Sequence, residues 1–328
     1  MQAMVLRARS TPLLLEERPD PQPGPGQIRV RVEACAVCRT DLHVIDGELP
    51  DIRYPIVPGH EIVGMVDLLG SGVSSPAIGQ RVGVAWLAKT CGQCEYCRSN
   101  RENLCDAPEF TGYSRDGGFA THVIAEAAFA IPLQNFAEPA KAAPLLCAGL
   151  IGWRSLLAAG EARTIGLFGF GAAAHIIAQV CRWQGRRIFA FTRTADLAGQ
   201  DFARSQGAHW AGSSLDAPPE ELDAAIIFAP AGELVPAALK AVKKGAIVVC
   251  GGIHMSDIPS FPYQILWGER RVVSVANLTR SDAAGFLPIV HQARIQTSIT
   301  RYPLHAANEA VRNLREGRLQ GAAVLVPE

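Results

Sequence analysis

Four cysteines stand close together in the chain, as Cys91-x2-Cys94-x2-Cys97-x7-Cys105. Two-residue gaps let a turn wrap one ion, and four thiolates at about 2.3 Å complete a tetrahedral zinc. Such a zinc leaves no position for substrate, so its work is structural. Iron–sulfur clusters use similar spacings, whereas a nucleic-acid zinc finger needs a basic recognition helix that does not follow here. A second, scattered set is Cys38, His60 and Cys147. Each alone reads most simply as core packing. Together they supply two thiolates and one imidazole, the donor set that leaves zinc a fourth position for substrate. Glu61, beside His60, is either an alternate ligand or tunes the ion from just behind. Asp41 can orient His60 through the ring nitrogen that does not meet the metal. The expectation is two zinc ions per chain, one catalytic and one structural. The other cysteines, Cys35, Cys181 and Cys250, lie in apolar contexts and read as packing residues.

A glycine turn adds a different chemistry. The apolar run Ile165-Gly166-Leu167-Phe168 leads into Gly169-x-Gly171-x-x-Ala174, and apolar residues at helical spacing follow. Strand, glycine turn and helix in that order are what dinucleotide binding requires. Gly169 permits the tight turn and Gly171 lets backbone approach a pyrophosphate. The N–H groups at Ala172 and Ala173, at the helix start, can then hold the anion. An NAD site carries an acidic residue roughly twenty positions further on. Here the second strand ends Phe191-Thr192-Arg193-Thr194 instead. No carboxylate stands there to repel a 2′-phosphate, and Arg193 either pairs with one or stacks on the adenine. The expected cofactor is NADP(H) in preference to NAD(H), with Thr192 and Arg193 among its contacts.

The elements around these residues change character along the chain. The first third is β-rich: Gln27 to Ala34 alternates apolar and polar residues with period two, as a half-buried strand does. A short helix is expected near Thr40, extended structure from Ile62 to Leu69, and a close backbone approach or bulge at Gly64. Residues 88–108 form a polar, cysteine-rich lobe. Past residue 148, short apolar runs at 165–168, 187–191, 224–228 and 246–250 alternate with helical patterns, which predicts a parallel sheet covered on both faces. A helix near 305–316 and a strand at 322–326 follow. The expected organisation is a catalytic domain over 1–148, a doubly wound cofactor domain over 149–277, and a return to the first domain over 278–328.

Composition narrows the function classes. At 328 residues the chain is long enough for two cores. Lys+Arg and Asp+Glu balance at 31 each, so nothing global favours nucleic acid or an anionic membrane. No apolar run approaches the roughly 18 residues that span a bilayer, and the N-terminus has no secretion-signal core. Nine cysteines without such a signal favour metal binding over disulfides, and the expected compartment is the cytoplasm.

These motifs together resemble the zinc-dependent medium-chain alcohol dehydrogenases, in particular a bacterial subgroup of zinc-binding alcohol dehydrogenases. The resemblance rests on Cys38-Arg39-Thr40-Asp41-Leu42-His43, on Gly59-His60-Glu61-Ile62-Val63-Gly64, and on the four-cysteine lobe. Gly112 to Phe119, Cys147, the glycine turn, and the stretches 252–259 and 274–278 extend it over nearly the whole chain. Departures are Ala36 and Ala174 where glycine is more usual, and the missing ribose-binding acid. The resemblance implies a GroES-like catalytic domain with a Rossmann cofactor domain, and reversible hydride transfer between an alcohol and its aldehyde or ketone. It gives Thr40 and His43 a proton relay by way of the nicotinamide ribose, Arg39 a pyrophosphate contact and Trp86 a place in the substrate pocket. Gly251 and Asn277 count as further cofactor contacts. It also implies a homo-oligomer, a dimer or tetramer. Two other readings stay open: a non-catalytic zinc- and cofactor-binding homologue, and a zinc-independent quinone or enoyl reductase.

Overall fold

The computed structural model describes residues 1–327, and the chain divides into two compact units. The first comprises Met1–Cys147, Asn277–Ala283 and Thr297–Glu328. Its centre is a seven-stranded sheet, built on the long strand Gln27–Val37. That strand pairs antiparallel with Glu61–Leu69, with Ala322–Val326 and with His122–Glu126, so residues far apart in sequence are knitted through it. Its alternation delivers Ile28, Val30, Val32 and Ala34 to the core, as period two requires. At Gly64 the register with Gln27–Val37 shifts, and a Cβ there would collide with the carbonyl oxygen of Arg31. The close approach expected from the sequence is therefore real.

The second unit comprises Ala148–Ala276 and Ala284–Gln296. Six strands, all parallel, lie in the order Trp210–Ser213, Arg187–Thr192, Thr164–Phe168, Leu222–Ile227, Val242–Cys250, Arg271–Ser274. Strand order reverses on either side of Thr164–Phe168, the point at which doubly wound sheets bind ligands. Every residue of that strand is buried, and Phe168 stacks on Phe191 at 4.0 Å. Helices Ala172–Trp183, Leu197–Ser205 and Leu234–Ala241 follow the strands Thr164–Phe168, Arg187–Thr192 and Leu222–Ile227. Their apolar faces explain the choice of helix: Ile176, Ile177 and Val180 are 0% exposed in the first of them.

The two units differ in one respect from the sequence expectation. The return to the first unit is made in two pieces, Asn277–Ala283 and Thr297–Glu328, with 284–296 belonging to the second. The helix Arg280–Gln292 carries the change: Phe286 packs on Trp153 of the second unit at 6.0 Å, and Gln179 holds the backbone of Gln296 at both its N–H and its carbonyl. Among the described residues no helix is long and apolar enough to cross a membrane.

Candidate metal centre and cofactor turn

Three of the four scattered donors sit where one element hands over to the next. Cys38 lies between the strand Gln27–Val37 and the helix Arg39–Asp46. His60 immediately precedes the strand Glu61–Leu69, and Cys147 separates the 3-10 turn Ala143–Leu146 from the helix Ala148–Ala158. Glu61 opens its strand opposite Ala36. The loop before His60 turns at Gly59, φ +99°, where a Cβ would press within 2.9 Å of the thiol of Cys35. Only glycine fits that combination of backbone and space.

The ligand atoms of Cys38, His60, Glu61 and Cys147 all lie within 4.8 Å of one another. The two sulfurs are 3.8 Å apart. His60 is 0% exposed, and its Nε2 is buried without a hydrogen-bond partner. Its other nitrogen, Nδ1, lies 3.0 Å from Asp41 Oδ1. Asp41 is itself 0% exposed, and its carboxylate also accepts from the backbone N–H of Cys38 at 2.8 Å and of Gly59 at 3.2 Å. Because a carboxylate accepts and does not donate, Nδ1 carries the hydrogen and Nε2 keeps the lone pair. An orphaned lone pair beside two thiols and a carboxylate fits a zinc ion.

The electrostatics of the cluster agree. Sharing a proton with the Cys147 thiol pulls Cys38 well below the ordinary thiol range, and the charge on Cys38 together with burial keeps Cys147 well above it. Burial alone would lower His60, but Asp41 and Cys38 outweigh it and raise the affinity of the ring for a positive charge, whether a proton or a metal ion, either of which takes the Nε2 lone pair. The group thus concentrates negative charge around one point and draws a positive one towards it, as a cation site does.

Trp86, 5% exposed, meets the His60 ring edge-on at 5.0 Å. Phe110 stacks on Trp86 at 5.1 Å and Tyr113 lies at 5.6 Å, so the indole is one part of an aromatic shelf. Phe110 and Tyr113 were not foreseen in the sequence, where isolated aromatics carry no periodic signal. On the helix Arg39–Asp46, Thr40 and His43 are three residues apart and share a face. Both are buried, with the Thr40 hydroxyl 3.8 Å from the Cys38 sulfur. Arg39, at the first helical position, is exposed.

The four-cysteine lobe forms a second candidate centre, again with its ligand atoms within 4.8 Å of one another. Backbone N–H groups point at the sulfurs: Cys94 N reaches Cys91 Sγ at 3.3 Å, and Cys91 N and Ala107 N reach Cys105 Sγ at 3.3 and 3.4 Å. The N–H groups of Cys97 and Asp106 bring Cys94 down to about 6, while burial pushes Cys105, the most enclosed of the four, up to about 11. N–H groups aimed at thiolates are what a structural zinc turn needs. Behind the lobe Glu102 grips Arg280 through Oε1 and Oε2 at 2.6 to 3.1 Å.

In the second unit Gly169 turns with φ +88°, and a Cβ there would lie 2.9 Å from the backbone of Ala229. Gly171 caps the helix Ala172–Trp183 without a side-chain hydrogen bond, and a Cβ on it would meet nothing within 4 Å. Open space in front of the helix-start N–H groups of Ala172 and Ala173 suits a pyrophosphate. Ala174 is fully buried beneath the turn. Thr192 ends its strand with its hydroxyl 3.4 Å from the Gly212 carbonyl, and Arg193 beside it is exposed. The hydroxyls of Thr194 and Ser213 lie 3.1 Å apart next to Arg193, and Ser213 is a further polar group absent from the sequence reading. The nearby carboxylate of Asp196 is already engaged in capping Gly199 N–H at 3.0 Å. Gly251 follows the strand Val242–Cys250, where a Cβ would press on Ser155 Oγ at 2.9 Å. Asn277, φ +58°, has both atoms of its side-chain amide buried without a hydrogen-bond partner. Of the three cysteines read as packing residues, Cys35 and Cys181 are fully buried, whereas Cys250 is only partly covered.

Residues 24–135 match the family model described as alcohol dehydrogenase GroES-like domain. The chain is 46% identical over 314 residues to the protein of Mycobacterium tuberculosis named Probable alcohol dehydrogenase AdhA, covering 93% of this chain and 90% of that one. It is 30% identical to an alcohol dehydrogenase of Geobacillus stearothermophilus, covering 99% and 98%. Among solved structures, acetophenone reductase from Geotrichum candidum in complex with NAD superposes with a TM-score of 0.89 at 26% identity, covering 99% and 96%. A structure from Sinorhizobium meliloti described as a zinc-binding dehydrogenase bound to NADP superposes at 0.88 with 25% identity and 99% coverage of both chains. With two donor sets suited to zinc and a parallel-sheet unit opening on a glycine turn, the chain belongs to the zinc-dependent medium-chain alcohol dehydrogenase family.

Proposed function

We propose that this protein interconverts primary or secondary alcohols with aldehydes or ketones, using NADP(H) in preference to NAD(H). The observation that carries the reading is the buried, partnerless Nε2 of His60 amid Cys38, Cys147 and Glu61. A zinc ion held there would supply Lewis acidity towards the substrate oxygen, and the dinucleotide would supply the hydride acceptor or donor. The chain's own residues do the rest. Asp41 fixes the His60 ring so that its lone pair faces the thiols. Trp86, Phe110 and Tyr113 offer a flat apolar wall beside His60, which favours planar substrates such as benzyl alcohol. The Thr40 hydroxyl can accept the substrate's proton and donate its own, and His43 on the same helical face is the base that receives it.

Several finer assignments belong to the same reading. Gly169, Gly171, Ala172 and Ala173 hold the pyrophosphate, with Arg39, Gly251 and Asn277 as additional cofactor contacts. Thr192, Arg193, Thr194 and Ser213 form a polar end for the adenosine ribose; the carboxylates of Asp196 and Asp216 there are engaged by the backbone N–H groups of Gly199 and Ser213, and the exposed Arg193 guanidinium is the support for NADP(H). The two centres load two zinc ions per chain. Their thiols stay reduced in a cytoplasm, and all nine cysteines are free. A homo-oligomer is supported by the exposed edge strand Arg271–Ser274, with Ile258 (47% exposed), Tyr263 (70%) and Trp267 (63%) in the segment leading to it.

Metal analysis joined to kinetics tests the reading. The parent should hold two zinc ions per chain and oxidise benzyl alcohol, while Cys38→Ser and Cys147→Ser should hold one and lose activity by at least about a hundredfold. A parent with one zinc, or a Cys147→Ser variant as active as the parent, would sink it.

A further inference from the structure

The four-cysteine lobe reaches a distant stretch of chain through one carboxylate. Glu102 opens the 3-10 turn Glu102–Leu104, between the third and fourth cysteines, and its side chain is 11% exposed. Its Oε1 accepts from the backbone N–H of Arg280 at 2.8 Å, and Oε1 and Oε2 together take the Arg280 guanidinium at 2.6 to 3.1 Å. One side chain thus holds both a first-turn N–H of the helix Arg280–Gln292 and the cation beside it. The guanidinium is boxed in further, lying over the Phe129 ring at 4.6 Å and donating to the Ala128 carbonyl at 3.3 Å. The residues just ahead are packed as well. Leu278 and Thr279 are each 4% exposed, and the Thr279 N–H and hydroxyl both reach Asp282 Oδ2 at 2.7 Å. Asn277 comes three residues before Arg280. On its other side along the chain the N–H of Val275 bonds the Cys250 carbonyl at 3.0 Å, just past the strand Arg271–Ser274. Ligands of open parallel sheets bind outside the carboxyl ends of the strands. The Asn277 amide is buried with neither its oxygen nor its nitrogen hydrogen-bonded, which costs stability until a ligand supplies partners.

We infer that Glu102 is a positioning residue for the dinucleotide: by clamping Arg280 it holds Asn277 where its amide meets the cofactor, so the cysteine lobe sets cofactor affinity. This role rests on the proposed cofactor contact of Asn277. Three residues span at most about 10–11 Å, so Arg280 cannot move far without carrying Asn277 with it. With the clamp gone, the stretch divides between the binding arrangement and others, and the apparent Kd rises as the competent fraction falls. None of the reacting atoms is touched, so the loss falls on cofactor binding and spares the chemical step. Cys97 and Cys105 bracket Glu102 in the chain, and a zinc held by the four thiols would fix both ends of the short stretch that carries it.

Two measurements test it on the zinc-loaded, full-length enzyme: the NADPH Kd from fluorescence titration, and hydrogen–deuterium exchange of peptides covering residues 275–284 without cofactor. Glu102→Gln and Arg280→Ala should each raise the Kd about tenfold, as a competent fraction of about a tenth would. Both should speed exchange over 278–283, while kcat at saturating NADPH falls by less than about twofold. Glu102→Asp should recover part of both losses. The double variant should be no weaker than either single one, since both remove the same contact. Arg280→Ala leaves the lobe's own residues in place, so it decides the matter even if Glu102→Gln loses the lobe's zinc. A Kd within twofold of the parent in Arg280→Ala overturns the inference, and so does a raised Kd with the parent's exchange. Asn277→Ala separates the two levels. It should weaken NADPH to a similar degree with exchange over 279–283 unchanged. If it binds NADPH like the parent, the cofactor contact of Asn277 fails and the inference with it. If it binds weakly while Arg280→Ala matches the parent, only the role of Glu102 fails.

Discussion

Asp41→Asn is nearly isosteric, yet it should loosen one zinc and not the other. Three N–H donors converge on the two oxygens of Asp41: Gly59 N and His60 Nδ1 on Oδ1, Cys38 N on Oδ2. An amide keeps a single oxygen. Its cheaper orientation leaves that oxygen to Gly59 and His60 and turns the NH2 group towards Cys38 N, so that two donors face each other in a site with no exposure. Losing one buried, charge-assisted bond and stranding its donor costs about 2–3 kcal/mol. The remaining bonds weaken because their acceptor is now neutral. Removing the carboxylate behind a metal-bound histidine should lower zinc affinity about 10- to 100-fold. The assay is competition with graded dipicolinate, following zinc release by a colorimetric chelator. The parent should release zinc in two separate steps, one from each centre. Asp41→Asn should move the step assigned to Cys38, His60 and Cys147 and leave the lobe's step in place, and Cys94→Ser identifies the latter. If Asp41→Asn released both ions at the parent's chelator concentrations, with an unchanged thermal midpoint, the carboxylate would not be holding His60 for a metal.

Other perturbations should separate the parts of the molecule. Arg193→Ala should raise KM for NADP+ by about tenfold or more, equivalent to 1.4 kcal/mol or more, and barely move KM for NAD+. A kcat/KM that favours NAD+ in the parent would refute the phosphate reading. Glu102 is held below its ordinary value of 4.5 because Arg280 outweighs the effect of burial. Its folded-state value is therefore depressed, so the stability it contributes is complete above pH 4.5 and is lost as pH falls through the folded value. Glu102→Gln should cost about 1 kcal/mol in urea unfolding at pH 7, half the Arg280 side chain being in solvent, and the gap to the parent should narrow as pH falls below 4.5. Gly64→Ala should destabilise the first unit by about 2–4 kcal/mol in the same assay, since its Cβ would meet backbone and not a movable side chain.

How much of this was legible in the sequence follows from how far each signal reaches. The lobe is compact: four thiols between 91 and 105 are brought together by local turns, so spacing alone locates it. The glycine turn is equally local, because strand, Gly169 and helix are consecutive. Cys38, His60 and Cys147 have no such spacing, and only the antiparallel pairing of Gln27–Val37 with Glu61–Leu69 brings the first two together. Their donor chemistry suggested the set, while the fold supplied the orphaned nitrogen and the converging N–H groups that give it a charge to hold. Trp86 was readable as a single residue, but the shelf of Phe110 and Tyr113 behind it depends on tertiary placement. Glu48, whose carboxylate lies 2.5 Å from His43 Nδ1, is the instructive omission. A glycine following a short helix signals a left-handed C-cap, and such a cap folds the next side chain back onto the last turn, where His43 lies. The stretch from Cys38 to Glu48 is therefore one device: an N-cap that places a thiol, a helical face that places a hydroxyl and an imidazole, and a C-cap that places a carboxylate 2.5 Å from that imidazole.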